Sequence, residues 1–402
     1  MVKQRASLER VPAEAVWPAS PRETMRRIWS PLQPALTRLT GAALCDEAPG
    51  TLTPWSHLRG ALGFLAAGVS TSAVCAASAS PAAFSLLGVG WLLALHGARK
   101  LRTIIMHQAA HGNFCRHRRV DRLLGKTISI ILVSEEFDAY RKSHCGDHHS
   151  SRHQTRHDPT VGFLFDELGL RPGMSRRLMW LRLFATVMSP LYHARFLWTR
   201  LASHFRGTSM LHRSALVAYL ISIALPTAAF DAWQILFLSW VVPVGILYQV
   251  STAFRLSSEH VFPQRLPQVR SRASLGEFTL GIFTGTACPD PTSPGLRRSA
   301  AWVWWWTQML LYHLPCRLAF LPGDGPVHDW HHRQPMSPDW ANYLQNRARA
   351  AARTSPDEPP YMEVWGFHRA IDACFASLSR ADPDDYPRDR IPRNARPKER
   401  DL

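Results

Sequence analysis

Two long stretches of this chain carry almost no charge, and they constrain the fold more than any other feature. Residues 60–98 contain no Asp, Glu, Lys or Arg, and residues 214–254 contain one charged side chain, Asp231. A single transmembrane helix needs about 20 apolar residues, so each stretch is long enough for two. A soluble protein with long buried helices is the alternative, but two uncharged stretches of this length disfavour it. We therefore predict a multi-pass membrane protein.

Each uncharged stretch is interrupted near its middle. The interruptions read ASASP at 77–81 and PTAAFD at 226–231, and proline with small polar residues commonly breaks helices. The sequence thus predicts an all-α fold with four transmembrane helices arranged as two hairpins. Their approximate ranges are 60–78, 82–98, 214–230 and 232–254.

The distribution of basic residues predicts the orientation of the hairpins. All 47 Lys and Arg residues lie in 1–59, 99–213 and 255–402. Two hairpins put these segments on one side of the membrane, and positively charged loops stay cytoplasmic. We expect both termini to be cytoplasmic and the membrane to be the cell inner membrane. Topology and anionic headgroups then account for the net charge of +17, and no nucleic-acid partner is expected.

Two further apolar segments are ambiguous. Residues 178–198 contain two arginines, and residues 301–321 contain Arg317 and four tryptophans among their first six residues. Trp prefers the membrane–water interface, so we predict helices lying in the interface over about 178–198 and 301–314. If either segment spanned the membrane, everything after it would lie on the opposite side.

Histidine is concentrated in three short motifs outside the predicted spans. HQAAH at 107–111 and HCGDHH at 144–149 place histidines four residues apart, and HDWHH at 328–332 places them three and four apart. Residues at these spacings share one face of a helix. A lone pair is more often an ordinary surface or core feature, but three motifs on one side of the membrane indicate a metal site. With His260, which follows the fourth span, the candidate ligands are His107, His111, His144, His148, His149, His260, His328, His331 and His332.

The number of candidate ligands constrains the metal. Imidazole suits iron, zinc, copper and nickel. Nine histidines exceed the four ligands of a tetrahedral zinc site and match two ions of five- or six-fold coordination. Neighbouring side chains could orient the ligating rings by accepting their second N–H, although ordinary solvated side chains are the alternative. The candidates for this supporting role are Asp147, His153, His157, Glu259 and Asp329.

Other metal proteins fit the sequence less well. The chain has no HExxH motif, so the general base of a zinc peptidase is missing. Its seven cysteines form no CxxC pair, which disfavours zinc ribbons and iron–sulfur sites. Transporters usually place polar ligands within their spans, where this chain has only His96 and Asp231.

The ordered histidine motifs resemble the three histidine boxes of the integral-membrane fatty acid desaturase and hydroxylase superfamily. The resemblance spans roughly 60–335, and RHDP at 156–159 and SSEH at 257–260 look like segments that often accompany the boxes. It implies two iron ions, bound by the nine histidines, and O2-dependent oxidation of an unactivated C–H bond in a lipid acyl chain. Gln108 departs from the acidic residue that is common in the first box, which leaves the substrate open.

The resemblance favours fatty acid desaturation. A lipid hydroxylase or other oxygenase on the same fold is the alternative, and a non-enzymatic membrane metal-binding protein is the second. The substrate is expected to be a lipid or acyl group in the bilayer. Because the chain has no cytochrome b5 domain and no ferredoxin cysteines, a separate electron donor of the ferredoxin or cytochrome b5 type is implied.

The resemblance also implies a domain organisation. Residues 1–57 are expected to form a cytoplasmic N-terminal segment, and residues 58–345 a membrane desaturase-like domain whose cytoplasmic helical cap carries the boxes. Residues 346–402 form a cytoplasmic C-terminal segment. Its basic, proline-rich end, from Asp382 onward, is predicted to be a disordered tail.

Overall fold

The computed structural model of the chain describes residues 20–78, 80–267, 275–292, 294–355 and 358–387. These residues are mostly helical, as predicted. In chain order the helices are α1 Pro21–Thr24, α2 Gln33–Thr40, α3 Pro54–Ser78, α4 Pro81–His111, α5 Arg118–Ile131, α6 Phe137–Ser143, α7 Pro159–Gly162, α8 Arg176–Val187, α9 Pro190–Ser203, α10 Met210–Ala229, α11 Trp233–Leu256, α12 Gly295–Gln308, α13 Leu314–Ala319, α14 His328–Arg333, α15 Tyr343–Ala352 and α16 Phe367–Arg380.

Wider and tighter helical turns extend or interrupt several of these helices. The π-helical turns lie at Leu101–Met106 within α4, His144–His148 after α6, Phe163–Glu167 after α7, Phe237–Ile246 within α11 and Met309–His313 between α12 and α13. The 3-10 turns lie at Met25–Arg27, Ser30–Leu32, Gly325–Val327, Trp340–Asn342 and Pro383–Asp385.

A short parallel sheet corrects the prediction of an all-α fold. Strand β1, Leu280–Phe283, pairs with β2, Met362–Trp365, in a register that sets Leu280 opposite Met362. All four residues of β1 are buried. Two strands of four residues, far apart in the chain and inserted into a core, leave no alternating pattern in the sequence, so periodicity could not reveal them.

Four helices of the described chain are long and apolar enough to cross a membrane: α3, α4, α10 and α11. Each overlaps one predicted span. Helix α4 continues past the predicted span end near residue 98, for roughly three and a half further turns, to His111. The first histidine motif is therefore part of the same helix as the span before it.

The first two spans pack closely because glycine lies at their contact. A Cβ atom added to Gly68 of α3 would lie 2.1 Å from the backbone nitrogen of Ala94 in α4, and one added to Gly97 would lie 2.3 Å from that of Leu65. Small residues permit this backbone-to-backbone approach between helices in a membrane. The contact holds α4, and with it the first histidine motif, against α3.

The predicted interfacial segment 178–198 is two helices instead of one. Helix α8 ends at Val187, and α9 begins at Pro190, which has no N–H to continue the preceding helix. The Ser189 side chain accepts a hydrogen bond from the Tyr192 backbone N–H and caps α9. The predicted interfacial helix 301–314 lies within a longer run that begins at Gly295 and ends at Ala319. Their position relative to a bilayer stays a prediction.

The C-terminal segment is packed into the body of the protein. The predicted boundary between residues 345 and 346 falls inside α15, and β2 completes the sheet. Helix α16 buries Cys374, Phe375 and Leu378 in the largest apolar core. The predicted start of the disordered tail, at Asp382, lies too early in the chain, because residues 382–387 pack against the protein. The Asp385 side chain, for example, accepts a hydrogen bond from the Leu266 backbone N–H at 2.7 Å. The rest of that tail, like residues 1–19, lies outside the described residues.

Candidate metal centre

The first histidine motif ends helix α4. His107 is buried and His111 is half-buried, and the helix stops at Gly112, whose φ of +69° favours glycine. Asn113 folds back on the motif: its backbone N–H donates to the Gln108 carbonyl at 2.8 Å and its side-chain amide donates to the Ser337 carbonyl at 3.0 Å. These bonds hold the end of α4 against the segment that follows the third motif.

A π-helical turn separates the histidines of the second motif. The His149 backbone N–H donates to the His144 carbonyl at 2.9 Å, which is a bond across five residues. The wider turn sets His148 and His149 on different sides of the motif. His144 and His149 therefore face one set of histidines, while His148 faces another.

The third motif forms the short helix α14 and also divides between two sets. His331 lies beside His107, with their Nε2 atoms 2.7 Å apart. His328 and His332 face the opposite way, with Nε2 atoms 3.1 Å apart, and their rings contact His260. The buried Asp329 between them accepts two hydrogen bonds from Arg347 of α15, which anchors α14.

All nine candidate ligands come together in two groups. In each group, one potential ligand atom per residue lies within 4.8 Å of every other. The first histidine group consists of His107, His111, His144, His149 and His331. The second histidine group consists of His148, His260, His328 and His332.

The spacing of the ring nitrogens suits metal ligation. In the first histidine group, the Nε2 atom of His144 lies 3.2 Å from those of His107 and His111, and the Nε2 atoms of His149 and His331 are 3.2 Å apart. With metal–nitrogen bonds of about 2.1 Å, ligands at right angles have nitrogens about 3.0 Å apart. Five converging nitrogens cannot all be satisfied by hydrogen bonds to one another, whereas a central cation satisfies them together. The donor set thus fits a metal ion.

Two hydrogen bonds fix the ring orientation in the second histidine group. The His148 Nδ1–H faces both oxygens of the buried Asp158, at 3.0 and 3.2 Å, so its Nε2 is free for a metal. The His260 Nδ1 lies 3.2 Å from the Thr279 hydroxyl, which donates to the Leu275 carbonyl. Nδ1 of His260 therefore carries the proton, and its buried Nε2, which has no hydrogen-bond partner among the described residues, presents a lone pair.

The direction of the pKa shift sets one histidine, His148, apart from the other ligands. Burial, together with neighbouring histidines, lowers the pKa of six rings outside the span-length helices well below the ordinary value and favours the neutral form that binds metals. They are His144, His149, His260, His328, His331 and His332. Burial also acts to lower the pKa of His148, but the Asp158 carboxylate outweighs it and raises that pKa. The same pairing outweighs the effect of burial on Asp158 and lowers its pKa well below 3.8.

The five residues suggested for a supporting role occupy different positions. His153 is buried, 3.1 Å from Asp158 through its Nδ1, and its ring contacts those of His148, His260 and His332. Of the others, Asp147 pairs with Arg152, Asp329 with Arg347 and Glu259 with Arg255, while His157 is exposed.

Sequence reasoning missed three residues that hold this centre together: Asp158, Thr279 and Arg347. The acidic residue of the RHDP segment was a usable signal for Asp158, since that carboxylate accepts from the His148 ring and caps α7 through the Thr160 N–H at 2.8 Å. Thr279 and Arg347 carry no signal in the sequence, because their contacts arise only when distant segments pack together.

A buried carboxyl beside the third motif gives the protein a predictable pH dependence. Burial raises the pKa of Asp324 to about 6, against a partial opposing effect of Arg255. Its Oδ1 has no hydrogen-bond partner among the described residues. The folded state therefore binds this proton more tightly than the unfolded state, and the group costs stability as pH rises from about 4 through 6.

We expect Asp324→Asn to raise the melting temperature at pH 7.5 but not at pH 4. A shift of about two pKa units corresponds to roughly 3 kcal/mol, or a rise of several degrees. Thermal unfolding of the detergent-solubilised protein at both pH values is the measurement. Asp382→Asn, at a carboxylate that pairs with the exposed Arg265, is the control. Equal effects of Asp324→Asn at both pH values would contradict the assignment.

A comparison with protein families matches residues 82–365 to the family described as fatty acid desaturase. The matched segment begins in α4, ends with β2 and contains both histidine groups. A search of the curated proteins finds no significant match.

Proposed function

Because the chain belongs to the fatty acid desaturase family, we propose that it is a membrane-bound di-iron enzyme that uses O2 to oxidise an unactivated C–H bond of a lipid acyl chain. Desaturation is the reaction we favour. The observation that carries the proposal is the convergence of nine histidines into two adjacent groups. His107 and His111 end one span-length helix, and His260 follows another.

The donor set supports two iron ions. We assign one ion to each histidine group, with five imidazoles in the first and four in the second. Nine imidazoles would leave coordination positions on a pair of such ions open for small oxygen ligands. Bound iron supplies the redox chemistry with O2 that side-chain acid–base groups cannot.

Residues around the metal centre orient the ligating histidines and exclude bulk water from them. Asp158 and Thr279 hold the protons of His148 and His260 on Nδ1, which leaves Nε2 for the metal. Arg347 fixes α14 through Asp329. Seven of the nine rings are buried, and only His111 and His149 are half-buried, so bulk water is largely excluded. Exclusion of water protects a reactive site from side reactions.

We propose that residues 58–345 form a membrane domain in which α3 with α4, and α10 with α11, form two hairpins whose ends face the cytoplasm. A cytoplasmic helical cap of this domain carries the histidines. Three observations support this. The basic residues lie in the three segments outside the uncharged stretches. Backbones of α3 and α4 touch at glycines. His107, at the end of α4, and His260, just after α11, belong to one centre, so both helices end on the same side.

The remaining parts of the proposal concern partners and location. The cell inner membrane is the proposed location, with lipid or acyl chains as substrates. Electrons come from a separate ferredoxin or cytochrome b5 type donor, because reduction of the irons needs a carrier. Nucleic acid is not a partner.

Lipid profiling with metal analysis tests the proposed function. Cells that produce the protein should accumulate an acyl product lighter by two hydrogen atoms, and the purified protein should contain two iron ions per chain. The His148→Ala variant, produced to the same level, is the control. A product heavier by one oxygen atom would assign the hydroxylase alternative, and absence of iron together with an unchanged lipid profile would overturn the proposal.

A further inference from the structure

Three arginines surround one tyrosine between the apolar part of the spans and the metal centre. Arg99 and Arg102 are on α4, Arg200 is on α9 and Tyr248 is on α11. The guanidinium carbons of Arg99 and Arg200 lie 5.0 and 4.6 Å from the centre of the Tyr248 ring, and all three arginines interact electrostatically with its phenol. We call Arg99, Arg102 and Arg200 the arginine cluster.

The side chains of the arginine cluster are buried or half-buried. Arg99 is 3% exposed, the Arg102 side chain is 14% exposed and stacks on Tyr140 at 3.5 Å, and Arg200 is half-buried. Burying a guanidinium is costly unless an anion compensates it. Three such charges at this depth are therefore unusual for a purely structural feature.

Two carboxylates of the described chain act on these three charges: Glu135 acts on Arg102, and Glu259, which already pairs with Arg255, acts on Arg99. Among the described residues the cluster makes one ion pair, between Arg102 and Glu135 at 3.9 Å, and that carboxylate is 42% exposed. Arg99 donates to the Thr252 hydroxyl at 2.8 Å, while its buried Nε has no partner among those residues. Arg99 and Arg102 are also three residues apart on one helix, where like charges repel. An external anion would complete the arrangement.

The arginine cluster lies close to the metal centre along α4. Arg102 and Arg99 precede His107 on α4 by one to about two turns, which is roughly 8 and 12 Å along a regular helix. Helix α9 supplies Arg200 and contacts α11, since the His193 Nδ1 lies 2.8 Å from the Gln249 side-chain oxygen. Arginine forms strong, forked hydrogen bonds with carboxylate and phosphate oxygens.

We infer that the arginine cluster binds the acidic oxygens, carboxylate or phosphate, of the lipid substrate. The inference rests on the proposed function and sharpens it: the substrate is an anionic lipid whose acid group is held on the order of 10 Å from the histidine ligands. The cluster then sets which carbon of the chain reaches the metal centre. A neutral ester of the same chain lacks the charge that the cluster recognises.

The test is equilibrium binding of radiolabelled palmitate to the full-length protein in phosphatidylcholine nanodiscs, without O2 or reductant. We expect Arg200→Gln to weaken binding by about tenfold or more, as for loss of a charge-assisted hydrogen bond in a buried site. Arg200→Lys should restore part of it. The control is Arg195→Gln on the same helix, because Arg195 is 63% exposed and lies 3.8 Å from Glu167; it should bind as the wild type does.

Competing ligands identify the source of the acid group. Displacement of the label by unlabelled palmitate but not by methyl palmitate supports a carboxylate site. If palmitate itself does not bind, the same variants are compared for binding of radiolabelled phosphatidic acid, and Arg200-dependent binding there supports a phosphate site. Equal binding of palmitate and its methyl ester, or equal losses in Arg200→Gln and Arg195→Gln, would overturn the inference.

Failure of this inference and failure of the proposed function give different results. The iron content and the lipid products of the same preparations report on the proposed function alone. Binding that depends on Arg200 in a protein without iron would keep the anion site and reject the di-iron enzyme. A protein that contains iron and oxidises lipid but shows no preference for anionic ligands would keep the di-iron enzyme and reject the anion site.

Discussion

Replacing His331 by Ala is expected to abolish lipid oxidation while the protein still folds and inserts into the membrane. The Nε2 atom of His331 lies 2.7 Å from that of His107 and 3.2 Å from that of His149, at the middle of the first histidine group. Loss of residues that merely orient a ligand costs 10- to 100-fold in metal affinity or activity. Loss of the ligand itself should exceed about 100-fold.

The measurements are iron per chain and product formation in membranes with matched protein amounts. We expect His331→Ala to retain less iron than the wild type, with the loss confined to the first histidine group. Alanine suits a helix, so α14 should persist. His157→Ala is the control, since His157 is exposed and belongs to the same histidine-rich segment as the second motif. Wild-type turnover with two irons in His331→Ala would refute the assignment of this residue as a ligand.

The two histidine groups show how much of the metal site the spacing of histidines in the sequence can predict. The nine histidines that the motifs and His260 indicated do come together in the structure, but not as shared faces throughout: His144 and His148, four residues apart, join different groups. Spacing could not show which ring joins which group. In the second motif that division depends on a π-helical turn, which the letters HCGDHH do not reveal.

Features of the fold that depend on local sequence were predictable, whereas features that depend on contacts between distant segments were not. The four span-length helices follow from apolar composition and length, which are local properties. The sheet of β1 and β2, the packing of α16 into the core and the contact of Arg347 with Asp329 all join distant segments. Within segment 178–198, Ser189 followed by Pro190 is a typical helix start. The boundary between α8 and α9 was therefore predictable from the local sequence.

Helices α4 and α11 connect the metal centre with the arginine cluster, because each contributes residues to both. Helix α4 carries Arg99 and Arg102 one to two turns before His107, and α11 carries Tyr248 and Thr252 before His260. The same two helices thus position both the metal ligands and the proposed anion site. An acid group held by the cluster would be fixed relative to the metal centre by rigid helices rather than loops, which is what selection of one carbon requires.

Replacing Asp158 by Asn is the second change for which we expect a large effect. Asp158 accepts from the His148 Nδ1–H and from the backbone N–H groups of Gln154 at 2.9 Å and Thr160 at 2.8 Å. Its carboxylate also lies 3.1 Å from the His153 Nδ1. Asparagine keeps one oxygen but turns an NH2 group toward these donors. His148 then loses the partner that keeps its proton on Nδ1, and we expect a 10- to 100-fold loss of metal affinity and turnover.

The pH dependence of this effect has a definite sign. The pKa of Asp158 lies below its unfolded value, so its contribution to stability is present above about pH 4 and is lost as pH falls through the folded pKa. Metal-free Asp158→Asn should therefore melt at a lower temperature than the wild type at pH 7, and the difference should shrink in strong acid. Asp147→Asn, at a partly exposed carboxylate that pairs with Arg152, is the control and should change little. If Asp158→Asn kept its iron, its turnover and its melting temperature, the carboxylate would not be orienting His148, and the second histidine group would owe its geometry to Thr279 and to packing alone.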